Sequence, residues 1–183
     1  PVTLHPLEYA GEESAAKRGR LASYLTETRC AGLLITAPDS LCWLLNIRGD
    51  DVPCTPFLLA YAVVLQDSSV DIFVHPDKIP AAVRQYWGKA VRIHPPEALQ
   101  GYVTAWGSNR IQLDATHAPS WFTHHFQMVH EAPDPCQLWK ACKNPVEIEG
   151  MREAHRRDGV ALTRFLHWLD THIGKEEVTE LSA

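Results

Sequence analysis

The sequence predicts an α/β fold, a mixed sheet covered by helices on both faces and followed by one long amphipathic helix. Three observations predict it. Short apolar runs of strand character alternate with segments of helical period from Ser14 to about Val129. An early pair of such runs is joined by the polar turn Gln66-Asp67-Ser68-Ser69, which makes an antiparallel hairpin within an otherwise crossover pattern. Asn144-Pro145 then opens an apolar stripe far longer than any before it.

Each element has its own signal. Ser14 opens a helix with Leu21, Tyr24 and Leu25 on one face and Lys17, Arg18 and Arg20 elsewhere. Residues 32–36 read as a buried strand. Pro38-Asp39-Ser40 starts a helical turn through Trp43 and Leu44 and leads into Asn46-Ile47-Arg48-Gly49. Residues 57–65 read as a long strand, with 70–74 as its hairpin partner. Helices are expected over 80–87, 96–106 and 119–129, and strands over 90–93 and 110–113. The α/β domain is expected to cover residues 1–134 and to end at the joint Pro133-Asp134-Pro135. Residues 135–183 are then a linker and the first helices of a second domain. In that part Asn144 is an N-cap, Pro145 fits the first helical position and Glu147 completes a capping box. Ile148, Met151, Leu162, Phe165, Leu166, Leu169 and Ile173 form the stripe, and Gly174 is a stop signal. The helix is expected to run ~28 residues, or ~42 Å. A stripe of that length needs a second layer to cover it. A further helix is expected from Lys175-Glu176-Glu177-Val178, so residues 135–183 read as the truncated beginning of a domain.

Composition narrows the function classes. A formal net charge of -5 with a pI of about 6.0 argues against a nucleic-acid partner, which calls for clustered Lys and Arg. The apolar run at 57–65 is too short for a bilayer, which needs roughly 20 residues, so no membrane partner is expected. Five cysteines (Cys30, Cys42, Cys54, Cys136 and Cys142) lack CxxC spacing. They read as buried, reduced thiols of a cytoplasmic protein rather than a disulfide framework or zinc site. His124 and His125 are adjacent and project about 100° apart, so with His117 they read as surface or capping residues. Trp87, Trp106, Trp121 and Trp139 sit among apolar neighbours and read as core. No GxGxxG or P-loop occurs, and Arg48-Gly49-Asp50 is a chance adhesion tripeptide.

Three segments carry a family resemblance, the second of them the apolar run at 57–65 placed directly after the first. Asp39-Ser-Leu-Cys-Trp-Leu-Leu-Asn-Ile-Arg-Gly-Asp-Asp-Val-Pro53 resembles a segment of aminopeptidase P, the metallopeptidase that removes an N-terminal residue preceding proline. Lys140-x-x-Lys-Asn-Pro-Val-Glu-Ile-Glu-Gly-Met-Arg-Glu-Ala-His155, followed by Arg157-Asp-Gly-Val-Ala161, resembles the opening helix of the pita-bread catalytic domain shared with prolidase and creatinase. The resemblance implies a creatinase/prolidase N-terminal-like middle domain followed by the start of that catalytic domain. It implies a cytoplasmic, homodimeric parent enzyme acting on proline-containing peptides. Two divalent metals, manganese above all, are implied for the catalytic domain, and no catalytic residue or metal ligand is carried over onto this sequence.

The loop 48–57 is the one candidate for a functional contribution. In related pita-bread enzymes the corresponding loop reaches the mouth of an active site. Arg48 then suits a substrate carboxylate or backbone carbonyl, because its planar fork donates in pairs. Asp50 or Asp51 suits a peptide amine, or else orients Arg48. The competing reading is that these residues only tie down an irregular loop. Two functions follow: part of an Xaa-Pro aminopeptidase, itself non-catalytic and serving substrate orientation or oligomerisation, or a peptide- or histone-binding relative without enzyme activity.

Overall fold

A computed structural model describes residues 2–175 and 178–181. Among them the chain forms two compact units, Pro1–Lys143 and Asn144–Ala183. The first is built on a six-stranded mixed sheet of β2 (Gly32–Ile35), β4 (Tyr61–Leu65), β5 (Val70–Phe73), β6 (Val91–His94), β7 (Arg110–Leu113) and β8 (Met128–Glu131). The strand order is β6-β5-β4-β2-β7-β8. Only β4 runs against its neighbours; β2 and β7, β5 and β6, and β7 and β8 pair in parallel. A small two-stranded pair joins β1 (Thr3–Leu4) to β3 (Ile47–Arg48).

Helices cover both faces, as the alternation predicts, and the strand residues divide between two cores with the two-residue period of a pleated sheet. Leu33 and Ile35 of β2, with Ala62 and Val64 of β4, face α2 (Ser14–Glu27), α3 (Pro38–Leu45) and α4 (Ala81–Trp87). Leu34 and Val63 face the other way, onto α5 (Ala98–Ala105) and α6 (Ser120–His125). Gly32 is required at the start of β2, since a Cβ there would come within 2.8 Å of the Trp106 indole. The hairpin turn 66–69 forms as expected, with Leu65 N donating to Ser69 O and the left-handed Ser68 (φ 65°) at its corner.

Several sequence expectations are corrected. The helix expected over 119–129 stops at His125; Phe126 is extended, and Met128–Glu131 pairs in parallel with β7 as a sheet edge. The strand expected over 57–65 begins its ladder only at Tyr61. Upstream, the Leu58 and Leu59 amides are taken by Cys42 Sγ and Asp51 Oδ2 instead of a neighbouring strand. Among the elements that carried no prediction are two short α-helices, α1 (Leu7–Ala10) and α7 (Pro135–Ala141). Asp134 caps α7 by accepting from Cys136 N, and α7 packs on α3 through Gln137–Ser40 and Lys140–Asp39 hydrogen bonds. Lys17 and Arg18, placed off the apolar face of the first helix, are buried. Three cysteines are buried, whereas Cys54 and Cys142 are exposed.

On β5, Asp71 is a buried carboxylate at 3% exposure. It accepts two hydrogen bonds from Arg92, one from Tyr102 and a 2.6 Å contact from His94 Nε2, which locks β5, β6 and α5 together. Burial works to raise its pKa, but these donors more than reverse that and hold it below the ordinary carboxylate range. Burial, then the Asp71 charge, push the Tyr102 phenol well above its usual value.

The second unit contains α8 (Pro145–His172), 28 residues long as the sequence predicts. Its capping box forms in full: Asn144 Oδ1 accepts from Glu147 N, and Glu147 Oε2 accepts from Asn144 N. None of its residues is buried, and Met151, Val160, Leu162, Phe165 and Leu166 are exposed. Gly174, at φ 79°, follows its C-terminus. The further helix expected from Lys175 falls in part on residues 176–177, which lie outside the described residues. No helix among the described residues is long and apolar enough to cross a membrane.

Candidate functional site

The candidate loop springs from a buried ledge made by the Trp43-Leu-Leu-Asn-Ile47 stretch. α3 ends at Asn46, which is left-handed (φ 52°) and 1% exposed. Its side chain is fully used. Asn46 Oδ1 accepts from Lys17 Nζ at 2.8 Å, and Nδ2 donates to Glu12 O and to the Tyr86 hydroxyl. Lys17, 1% exposed, also donates to Trp43 O and lies 4.4 Å from the centroid of the Trp43 ring. Burying an ammonium costs several kcal/mol unless acceptors replace water, and these groups supply them. Trp87 Nε1 donates to Leu45 O, so the last carbonyls of α3 are met by side chains from α2 and α4.

From this ledge β3 carries Arg48 opposite Thr3. The chain then turns out and back. Gly49 N donates to Pro56 O, Asp51 N to Phe57 O, and Thr55 N to Val52 O. The tip turn has Pro53 at its first central position and the left-handed Cys54 (φ 58°) at its second. Gly49 permits the close return, because a Cβ there would run into Leu58 N and the Phe57 carbonyl.

The three candidate residues have different surroundings. Arg48 is partly buried, and Nη1 donates to Ile47 O at 2.8 Å. Asp50 is exposed. Asp51 is held from two sides, by Lys78 Nζ on Oδ1 and Leu59 N on Oδ2, each at 2.8 Å. Burial works to raise its pKa; the Lys78 and Leu59 hydrogen bonds outweigh it and hold the carboxyl below its usual range. Asp51 is thus the brace of the loop, tying it to the turn that holds Lys78.

The sequence reading missed a polar cleft at the carboxyl ends of β2 and β7, where open α/β sheets place their ligand crevices. Asp39, Asp114, Asp134 and His117 line it. Asp39 pairs with Lys140, and the His117 Nδ1 lies 3.0 Å from Asp114 Oδ2. Burial works to raise Asp39 and Asp114, and their hydrogen-bond donors bring both below the ordinary carboxylate range. These residues come from three separate segments, with only Asp114 and His117 close in sequence, so no local spacing announces the set. The remaining paired histidines behave as expected: His124 and His125 Nδ1 face the Ser120 and Trp121 carbonyls one turn back. Among the described residues no group of three or more His, Cys, Asp or Glu is placed to hold a metal ion.

The geometry has counterparts in known proteins. The family model of the Creatinase/Prolidase N-terminal domain matches residues 1–147. The probable Xaa-Pro aminopeptidase P of Ajellomyces capsulatus (strain NAm1 / WU24) is 33% identical over 94% of this chain and 30% of its own length. That of Talaromyces stipitatus is 34% identical over 97% of this chain and 29% of its own length. The solved X-prolyl aminopeptidase of Caenorhabditis elegans, described as a cytosolic enzyme with a di-nuclear active site, matches with a TM-score of 0.85 and 27% identity. That match covers 97% of this chain and 30% of the other. The chain therefore spans about 30% of the length of the relatives it matches. A six-stranded mixed sheet with helices on both faces, a family match over most of the chain and aminopeptidase relatives covering nearly all of it lead to one conclusion: this chain belongs to the creatinase/prolidase N-terminal domain family.

Proposed function

We propose that this chain is the non-catalytic α/β part of an Xaa-Pro aminopeptidase, together with the first helix of its catalytic domain. The observation that carries the reading is the Trp43–Pro53 stretch, built as a rigid ledge with a projecting loop, in a chain whose relatives are Xaa-Pro aminopeptidases over nearly its whole length. In this reading residues 1–134 are the α/β domain, and 135–183 link it to the catalytic domain and begin that domain. The anchoring of α7 on α3 holds the joint in place before the long helix starts.

The role of this chain is to bind and orient. Arg48 offers a paired donor to a peptide carbonyl or carboxylate. Asp50, being exposed, is better disposed than the braced Asp51 to meet a peptide amine. The dinuclear metal site that the relatives suggest does not fit the residues of this chain, for want of a ligand cluster among the described residues. No chemical step is derived through it; manganese, a homodimeric assembly and a cytoplasmic location belong to the parent enzyme in this proposal.

The test is release of the first residue from an Arg-Pro-Pro peptide by the full-length protein with manganese. Release is expected, with Arg48→Ala raising KM roughly tenfold or more, the loss expected for a charge-assisted hydrogen bond of about 1.5–3 kcal/mol. No release from the wild-type protein would sink the proposal.

A further inference from the structure

Lys17 is among the largest fully buried side chains, and it stands where the apolar face of α2 calls for a hydrocarbon. Leu21 and Leu25, one and two turns further along the same face, are fully buried in the core. Lysine is rarely buried to this degree unless its ammonium is paired. A methionine of similar length would fill the space without the desolvation penalty, so packing alone does not account for an ammonium here.

The ammonium meets the last turn of α3. Nζ donates to Trp43 O at 3.0 Å and to Asn46 Oδ1 at 2.8 Å. The C-terminal end of a helix carries the negative end of its dipole, which suits a cation. Tyr86 serves the same corner: its hydroxyl accepts from Asn46 Nδ2 and donates to Glu13. Asn46 is the point from which the candidate loop departs, with Arg48 two residues later. The far end of the loop returns to the same helix, where Leu58 N donates to Cys42 Sγ. Both ends of the loop therefore hang from α3, and Lys17 holds the end of that helix.

This arrangement magnifies small movements. Two extended residues carry Arg48 about 7 Å from Asn46, and the arginine side chain roughly doubles that reach. A turn of about 10° at Asn46 then moves the guanidinium by about 2 Å, whereas a misplacement of about 1 Å already weakens an oriented contact. We infer that Lys17 and Tyr86 are positioning residues for Arg48: together they fix Asn46, and so the angle at which Arg48 is presented to a peptide. The inference rests on the reading of Arg48 as a substrate contact. Lys17 is buried and acts through Asn46, not on the peptide.

A double-mutant cycle on the full-length protein tests this, with cleavage of the Arg-Pro-Pro peptide as the readout. Lys17→Met is expected to raise KM about fivefold with kcat unchanged, and to raise it no further in an Arg48→Ala background. Tyr86→Phe removes one hydroxyl from an exposed ring. It is expected to raise KM about twofold with the same dependence on Arg48, and it carries the test if Lys17→Met fails to fold by circular dichroism. A folded variant with wild-type KM, or one whose loss is the same with and without Arg48, would overturn the inference. In a crystal structure of the Lys17→Met protein, Arg48 is expected to shift by more than about 1 Å relative to β4 and β5. An unmoved Arg48 would overturn the inference whether or not the peptide is cut. Arg48→Ala with wild-type KM would overturn the Arg48 reading and this inference together. A tenfold effect of Arg48→Ala without coupling to Lys17 would overturn this inference alone.

Discussion

Residues 43–47 and 48–57 are adjacent in one motif, yet they are held in opposite ways. The first stretch is buried, and its polar groups are met by side chains from other helices: Lys17 on Trp43 O and Asn46, Trp87 on Leu45 O, Tyr86 on Asn46. The second is held chiefly by its own backbone, with Gly49, Asp51 and Thr55 donating across the loop. Its ties to distant segments include the Thr3–Arg48 strand pairing at its base and the Asp51–Lys78 pair. The contrast separates two reasons for a specific residue. Asn46 is specified by the fold, whereas Asp50 is specified by nothing within the described residues and is open to a contact outside them.

That contrast can be broken in descending order of effect. Asn46→Ala removes an acceptor from buried Lys17, two donated hydrogen bonds and a residue type that tolerates the left-handed region. A loss of about 3 kcal/mol is expected in urea unfolding. Gly49→Ala forces backbone to move at Leu58 and Phe57 and should cost about 2 kcal/mol, with the loop displaced rather than the ledge. Asp51→Asn should cost about 1 kcal/mol near neutral pH, discounted because Lys78 is 42% exposed. Its pH dependence has a definite sign. The folded carboxyl is held below its unfolded value of ~3.9, so its stabilisation is complete above that pH and fades as pH falls through the lower folded value. The difference between wild type and Asp51→Asn should therefore shrink below about pH 4. Asp50→Ala should change stability by less than about 0.5 kcal/mol. A large loss there would erase the distinction between ledge and loop.

Much of the fold is legible in the sequence because it is written locally. The capping box at Asn144-Pro145-Glu147 fixes the start of α8, and the polar run at 66–69 fixes the hairpin. Local signals fail where distant pairing decides. Met128 and Val129 continue a helical pattern, yet the parallel edge of β7 claims them for the strand Met128–Glu131. Residues 57–60 have strand composition, but part of their backbone hydrogen bonding goes to Cys42 and Asp51. The start of α7 is legible too: Asp134-Pro135 repeats the N-cap and proline pattern of α8, although Pro133-Asp134-Pro135 also has the composition of a joint between domains. For the loop, Arg48, Asp50 and Asp51 were visible as a cluster, but only the fold separates the brace from the exposed residue. The acidic cleft was invisible, since Asp39, Asp114, His117 and Asp134 meet only once β2, β7 and α7 are in place.

Native-state hydrogen exchange tests the division of the motif most directly. The Leu44, Leu45 and Asn46 amides are expected to exchange only through global unfolding, while those of Gly49, Asp51 and Thr55 exchange through a local opening of markedly lower free energy. Equal protection across both stretches, moving together with denaturant, would contradict the account and make loop and ledge one structural unit.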